Sequence, residues 1–110
     1  MSEYVSFDEF RRIDIRVALV KSVEPHPNAD KLYIIRLDLG EEGEKQSCAG
    51  LKPYYEPDQL VGKKVAVIFN LEPAKMRGEV SETMLLAGQD GDVVAILCPE
   101  RDLAPGSRIF

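Results

Sequence analysis

Lys75 and Arg77 stand two residues apart, with Met76 between them and Gly78 after them, inside the stretch Asn70-Leu71-Glu72-Pro73-Ala74-Lys75-Met76-Arg77-Gly78-Glu79-Val80-Ser81. In an extended loop that spacing turns both cations to one side, where they would neutralise two phosphates of a polyanion. Asn70 and Ser81, at the ends of the stretch, carry groups able to hydrogen-bond sugar or base edges. The same composition also suits a solvated polar loop, and spacing alone does not separate the two readings. Lys31 and Lys52 would extend a basic track, although single lysines are usually just exposed. Met84 opens an apolar run and reads, by pattern, as core.

Other chemistry finds little support. The one histidine, His26, lies between two prolines in Pro25-His26-Pro27, and no serine or cysteine signature marks a nucleophile. One histidine and two distant cysteines cannot make a closed zinc site, and no glycine-rich phosphate loop is present. Glu41, Glu42 and Glu44 read as a solvated acidic turn rather than a calcium loop. No catalytic residue, metal or cofactor is therefore expected. Cys48 and Cys98 sit in the runs SCAG and AILCP without CxxC spacing, and both are expected to be reduced, buried thiols.

The elements that must position these residues follow from periodicity. Ser6 is a candidate N-cap for a helical turn over Phe7-Asp8-Glu9-Phe10-Arg11-Arg12. From Ile13 the period becomes two: Ile13, Ile15, Val17 and Leu19 alternate with Asp14, Arg16, Ala18 and Val20, a half-buried strand. Pro25 to Asp30 must be a loop, because two prolines remove backbone donors and Asn and Asp favour turns. A second strand spans Leu32 to Leu39, and a turn at Gly40 to Glu44 leads into a third, Lys45 to Ala49. Pro57 opens a short helical turn that Gly62 ends, and Lys64 to Phe69 is a fourth strand. The stretch Asn70 to Ser81 reads as irregular. Met84 to Ala87 and Val93 to Leu97 follow as short strands, with Arg108 to Phe110 as a final edge strand.

Short strands without βαβ alternation predict an all-β fold. The order best matches an OB-fold Greek-key barrel with a short N-terminal helix and a short helix between strands three and four. Such barrels bind oligonucleotides between the loops that here are Glu24 to Asp30 and Asn70 to Ser81. A chain of 110 residues supports one domain, residues 1–110. No run is long and apolar enough to span a bilayer, and the N-terminus resembles no secretion signal, so a cytoplasmic location is expected. Fourteen basic against nineteen acidic side chains give a net charge of -5, which excludes binding of nucleic acid through overall charge.

The sequence resembles the tRNA-binding domain found at the C-terminus of methionyl-tRNA synthetase, in structure-selective tRNA-binding proteins and in endothelial-monocyte-activating polypeptides. The markers run from Phe7 to Ile109: Asp14-Ile15-Arg16-Val17, His26-Pro27-Asn28-Ala29-Asp30-Lys31-Leu32-Tyr33, Ala49-Gly50-Leu51, Asn70 to Gly78, and Ser81 with Met84. The resemblance implies a non-catalytic OB-fold module that binds tRNA by shape and assists methionyl-tRNA synthetase. It implies a homodimer formed by the N-terminal helix, with Phe7 and Phe10, and the segment Leu103 to Phe110. It also implies RNA-binding roles for Asn70, Lys75, Arg77, Ser81 and Met84, with Lys31 and Ser47 in addition.

Three residues depart from that pattern. Ala18 and Thr83 stand where the family usually has glycine, and Glu82 places an anion beside the expected RNA face. Ser81-Glu82, together with Lys45-Gln46-Ser47, is similar to the CsaA-type branch, dimeric export-related chaperones that bind unfolded or precursor polypeptides. Unfolded polypeptide is thus the alternative ligand.

Overall fold

Ser6 starts the first helix by exchanging hydrogen bonds with Glu9. The Glu9 N–H donates to Ser6 Oγ and the Ser6 N–H to the Glu9 carboxylate, each at 3.1 Å. The computed structural model describes residues 3–110. In it this cap opens helix α1 (Phe7–Arg11), after which the chain enters β1 (Ile15–Pro25), β2 (Tyr33–Asp38) and, past a single 3-10 turn at Gly40–Glu42, β3 (Glu44–Ala49). Helix α2 (Pro57–Leu60) leads to β4 (Lys64–Ile68). Six short strands follow: β5 (Ala74–Met76), β6 (Glu79–Ser81), β7 (Met84–Leu85), β8 (Ala87–Asp90), β9 (Val93–Ile96) and β10 (Arg108–Ile109). Both expected helices and the all-β class are present, and the main sheet, ordered β3-β2-β1-β4-β7, curls into a half-barrel of OB-like form.

The long strand β1 carries this curl. Its first half pairs with β4, from Ile15↔Ile68 to Leu19↔Lys64, and its second half with β2, from Leu19↔Asp38 to Pro25↔Tyr33. The register shifts between Val20 and Ser22, a bulge that bends the strand and changes its parity. Two sequence expectations are corrected here. The loop expected over Glu24 to Asp30 begins only after Pro25, since the bulge lets the strand continue to that residue. The residues of β1 that face the core are Ala18, Val20 and Val23, not the set Ile13, Ile15, Val17 and Leu19. Val17 is buried on the opposite side, where its N–H donates to the Ser107 carbonyl and its own carbonyl accepts from Gly106 N–H.

The core joins those residues to Tyr33, Ile35, Leu37, Leu39, Leu60, Val65 and Val67. Burying a Val, Leu or Ile side chain is worth roughly 1.5–3 kcal/mol, so this alternating set is what fixes the register of the sheet. The tail docks by backbone contact: a Cβ on Gly40 would lie 2.4 Å from the Pro105 carbonyl oxygen, and one on Gly106 2.5 Å from that of Leu39. Only glycine permits that approach at either position.

The barrel wall between β3 and the β6–β7 segment is closed largely by side chains. Cys48 N–H donates to Ser81 Oγ at 3.0 Å and Gln46 N–H to Glu82 Oε1 at 3.0 Å, while Glu82 N–H reaches the Gln46 carbonyl at 2.8 Å. The stretch Asn70 to Ser81, expected to be irregular, instead contains the antiparallel hairpin β5–β6, with Met76 opposite Glu79. No helix of the described residues is long and apolar enough to cross a membrane.

Candidate nucleic-acid interface

Hairpin β5–β6 turns through two residues, Arg77 at φ 53° and Gly78 at φ 94°. Two successive positive φ values form the tight turn whose twist matches that of antiparallel strands. Arg77 therefore stands at the hairpin tip in a left-handed conformation, not in an extended loop, so simple alternation with Lys75 does not set its direction. Lys75 lies on β5 opposite Val80.

The first loop clasps this tip. Asn28 N–H donates to His26 Nδ1 at 2.9 Å, which places the imidazole proton on Nε2, and Nε2 donates to the Met76 carbonyl at 2.8 Å. The Asn28 side-chain amide reaches the Arg77 carbonyl at 3.4 Å. His26 is 4% exposed, so it organises the site without facing a ligand. Sequence reasoning gave this histidine no role beyond the loop. The signal was its place between two prolines, which leave the ring as the loop's main hydrogen-bonding group.

The clasp brings Lys31 and Arg77 to one groove, a cavity of about 650 Å³ lined also by Asn28, Leu32 and Met76. Lys31, Lys75 and Arg77 are exposed, and among the described residues none of them has a carboxylate within 4.0 Å. The acids near the hairpin are engaged elsewhere. Glu79 accepts from the Gln46 side-chain amide at 3.2 Å, and Glu82 accepts from Gln46 N–H and faces Lys45 at 3.9 Å. Glu82 thus points at strand β3 and helps close the wall.

The remaining expected site residues divide by burial. Asn70 ties the end of β4 to the N-terminal segment: its Oδ1 accepts from Asp14 N–H at 2.8 Å and its Nδ2 donates to the Arg12 carbonyl at 2.7 Å. Ser47 and Ser81 are buried, and both hydroxyls donate to the Thr83 carbonyl, at 3.0 and 3.1 Å. Thr83 itself is buried, and its Oγ1 has no hydrogen-bond partner. Met84, expected by pattern to be core, is 43% exposed, because the strand alternation turns Thr83 inward and Met84 out. Met84 lines a second cleft of about 460 Å³, away from the hairpin tip, whose walls include Leu51, Tyr54, Gln89 and Val94.

The two cysteines differ. Cys48 is buried, and that burial, reinforced by nearby Glu79, pushes its thiol above the ordinary cysteine range. Cys98 is exposed, which corrects the expectation that both are buried: it follows β9 in an irregular segment beside Lys63 and Lys64.

Residues 15–108 match the family described as a putative tRNA binding domain. The chain is 52% identical over 107 residues to the methionine–tRNA ligase of Thermococcus kodakarensis, covering 97% of this chain and 14% of that protein. It is 47% identical to the methionine–tRNA ligase of Pyrococcus furiosus, over 97% of this chain and 15% of that protein. The chain therefore spans about one seventh of the length of these relatives. A methionyl-tRNA-synthetase-related protein from Pyrococcus horikoshii superposes with a TM-score of 0.91 at 29% identity, covering 99% of this chain and 100% of that one. The chaperone CsaA of Bacillus anthracis superposes with a TM-score of 0.88 at 29% identity, over 98% and 100% of the two chains.

Proposed function

Because this chain belongs to the tRNA-binding domain family, we propose that it is a binding module, not a catalyst, which docks folded tRNA through the groove between the His26 loop and the Arg77 hairpin. The observation that carries this reading is the pair of unpaired cations, Lys31 and Arg77, held on one groove by the His26–Met76 clasp. Lys75 adds a third cation on the same hairpin. These charges meet phosphates and position the RNA, whereas Asn70, Ser81 and Ser47 shape the surface through their internal hydrogen bonds. With a net charge of -5, long-range attraction is weak and affinity rests on this local patch.

The apolar side chains of Phe7, Phe10, Leu103 and Phe110 are 70%, 39%, 40% and 101% exposed, which supports a homodimer joined through α1 and the C-terminal segment. Two grooves on one rigid frame raise the effective concentration of the second contact. Similarity to methionine–tRNA ligases supports a role beside that synthetase, in the cytoplasm. The likeness to CsaA supports a second reading, in which unfolded polypeptide occupies the apolar cleft beside Met84.

Titrating tRNA at several salt concentrations tests the first reading. Affinity is expected to fall linearly on a log-log plot, and Lys75→Ala and Arg77→Ala are each expected to reduce the slope by about one. Salt-independent binding that ignores both substitutions, with tight capture of a denatured polypeptide, would transfer the function to the second reading.

A further inference from the structure

Tyr54 stands apart from the other tyrosines around the barrel mouth. The Tyr33 hydroxyl donates to the Tyr55 carbonyl at 2.6 Å, and the Tyr55 hydroxyl accepts from Ile96 N–H at 3.2 Å. The backbone N–H groups of Tyr54 and Tyr55 both donate to the Leu51 carbonyl at 2.9 Å. This turn is fixed at its base, yet Tyr54 is 45% exposed and its hydroxyl makes no hydrogen bond among the described residues. It faces the 460 Å³ cleft together with Met84.

The cleft has the chemistry of a base-stacking site. Its lining contains no ionised side chain, only Gln89 as a long polar group, and it lies within the size range of ordinary small-ligand clefts, about 300–1,000 Å³. Gln89 donates its amide N–H to the Gly91 carbonyl at 3.2 Å, which leaves the amide oxygen to accept from a base edge. Gly50, also in the lining, is not demanded by packing, since a Cβ there would meet nothing nearer than 4.0 Å. Lys52 is exposed on the same turn. The polar cavity on the outer sheet face, which holds Arg36, is less suited to RNA because Glu24 and Glu79 line it. An apolar cleft free of carboxylates, with an aromatic face, suits an unpaired nucleobase in a polyanion better than it suits a charged segment of polypeptide.

We propose that this cleft takes one unpaired base of the bound RNA, stacked on Tyr54 against Met84. The proposal rests on the tRNA-binding reading and deepens it, since shape recognition alone requires no unpaired nucleotide.

The chain has no tryptophan, so Tyr54→Trp introduces a single indole reporter. Folded tRNA is expected to quench its emission, and a blunt RNA duplex of similar length is not. Tyr54→Ala is expected to weaken tRNA binding by about tenfold or more, the usual cost of one lost stack, and to leave duplex binding unchanged. Circular dichroism of both variants checks folding, and the conservative Tyr54→Trp keeps the test valid if Tyr54→Ala unfolds. If tRNA binds with the salt dependence of the wild type while the indole emission stays silent, or if the duplex quenches equally, the cleft proposal is overturned and the functional reading stands. Quenching by a denatured polypeptide but not by tRNA also overturns it. If the wild type binds no tRNA, both readings fall.

Discussion

His26 Nε2 donates to the carbonyl oxygen of Met76 at 2.8 Å, across fifty residues of sequence, and this bond ties the first loop to hairpin β5–β6. Its partner is a backbone atom one residue before the cation Arg77. A buried ring thus positions a surface charge by holding the strand that carries it.

Replacing His26 by Ala is therefore expected to act in two ways. The Met76 carbonyl and the Asn28 N–H lose their partners, a cost of about 1–3 kcal/mol measurable by urea unfolding. RNA affinity is expected to fall as well, although His26 is too buried to touch RNA. A variant with wild-type stability and wild-type affinity would show that the clasp is dispensable.

Arg77 offers the opposite combination. At φ 53° it adopts a backbone conformation that glycine reaches without strain. Arg77→Gly is expected to raise stability, by up to about 1 kcal/mol, while lowering RNA affinity and reducing the salt slope by about one. Thermal melting and a salt titration of the same preparation check both. A gain in stability without loss of binding would move the phosphate contact elsewhere.

Ser81 and Asn70 are expected to behave as structural residues. Ser81→Ala leaves the Cys48 N–H without its acceptor, and Asn70→Ala releases both the Asp14 N–H and the Arg12 carbonyl. Ser81→Ala is expected to cost about 1–3 kcal/mol because its bond is buried, and Asn70→Ala about 0.5–1.5 kcal/mol because water reaches the released groups, with RNA affinity preserved in the folded fraction. Unchanged stability with lost binding would assign the hydroxyl or amide directly to RNA.

Thiol labelling separates the two cysteines. The thiolate is the reactive form, and a thiol pushed above its ordinary range holds less of it at any given pH, so Cys48 is expected to stay slow into the alkaline range. Cys98 is expected to react at once, giving one fast thiol per native chain and a second only on unfolding. Two fast thiols would mean that the β3 wall opens readily.

Much of the fold was legible because burial imposes a period on the sequence. The second strand, expected over Leu32 to Leu39 and found at Tyr33–Asp38, read correctly, as did the proline-flanked loop at His26, apart from Pro25, which ends β1. The parity of β1 did not, because the bulge after Val20 makes the inward residues Val20 and Val23 three apart, and no periodic reading anticipates an inserted residue. Hairpin β5–β6 was hidden for a different reason. Its strands have three residues each, too few to display a period, and its turn is Arg-Gly where Asn-Gly or Asp-Gly would have signalled one. At the site, sequence marked polar residues without telling which bond to the protein itself. Ser81, from its place at the end of the polar stretch, and Ser47, from the family resemblance, are expected to contact a ligand, yet both hydroxyls donate to the Thr83 carbonyl.

The side-chain closure of β3 has a consequence for assembly. In the main sheet β3 is terminal, and a terminal strand with bare donors invites another chain to add itself. Ser81 and Glu82 occupy the Cys48 and Gln46 donors instead, so the edge is stoppered without a full neighbouring strand. Glu82, the anion expected to sit awkwardly beside an RNA face, thus fills a donor that a bare edge would offer to another chain.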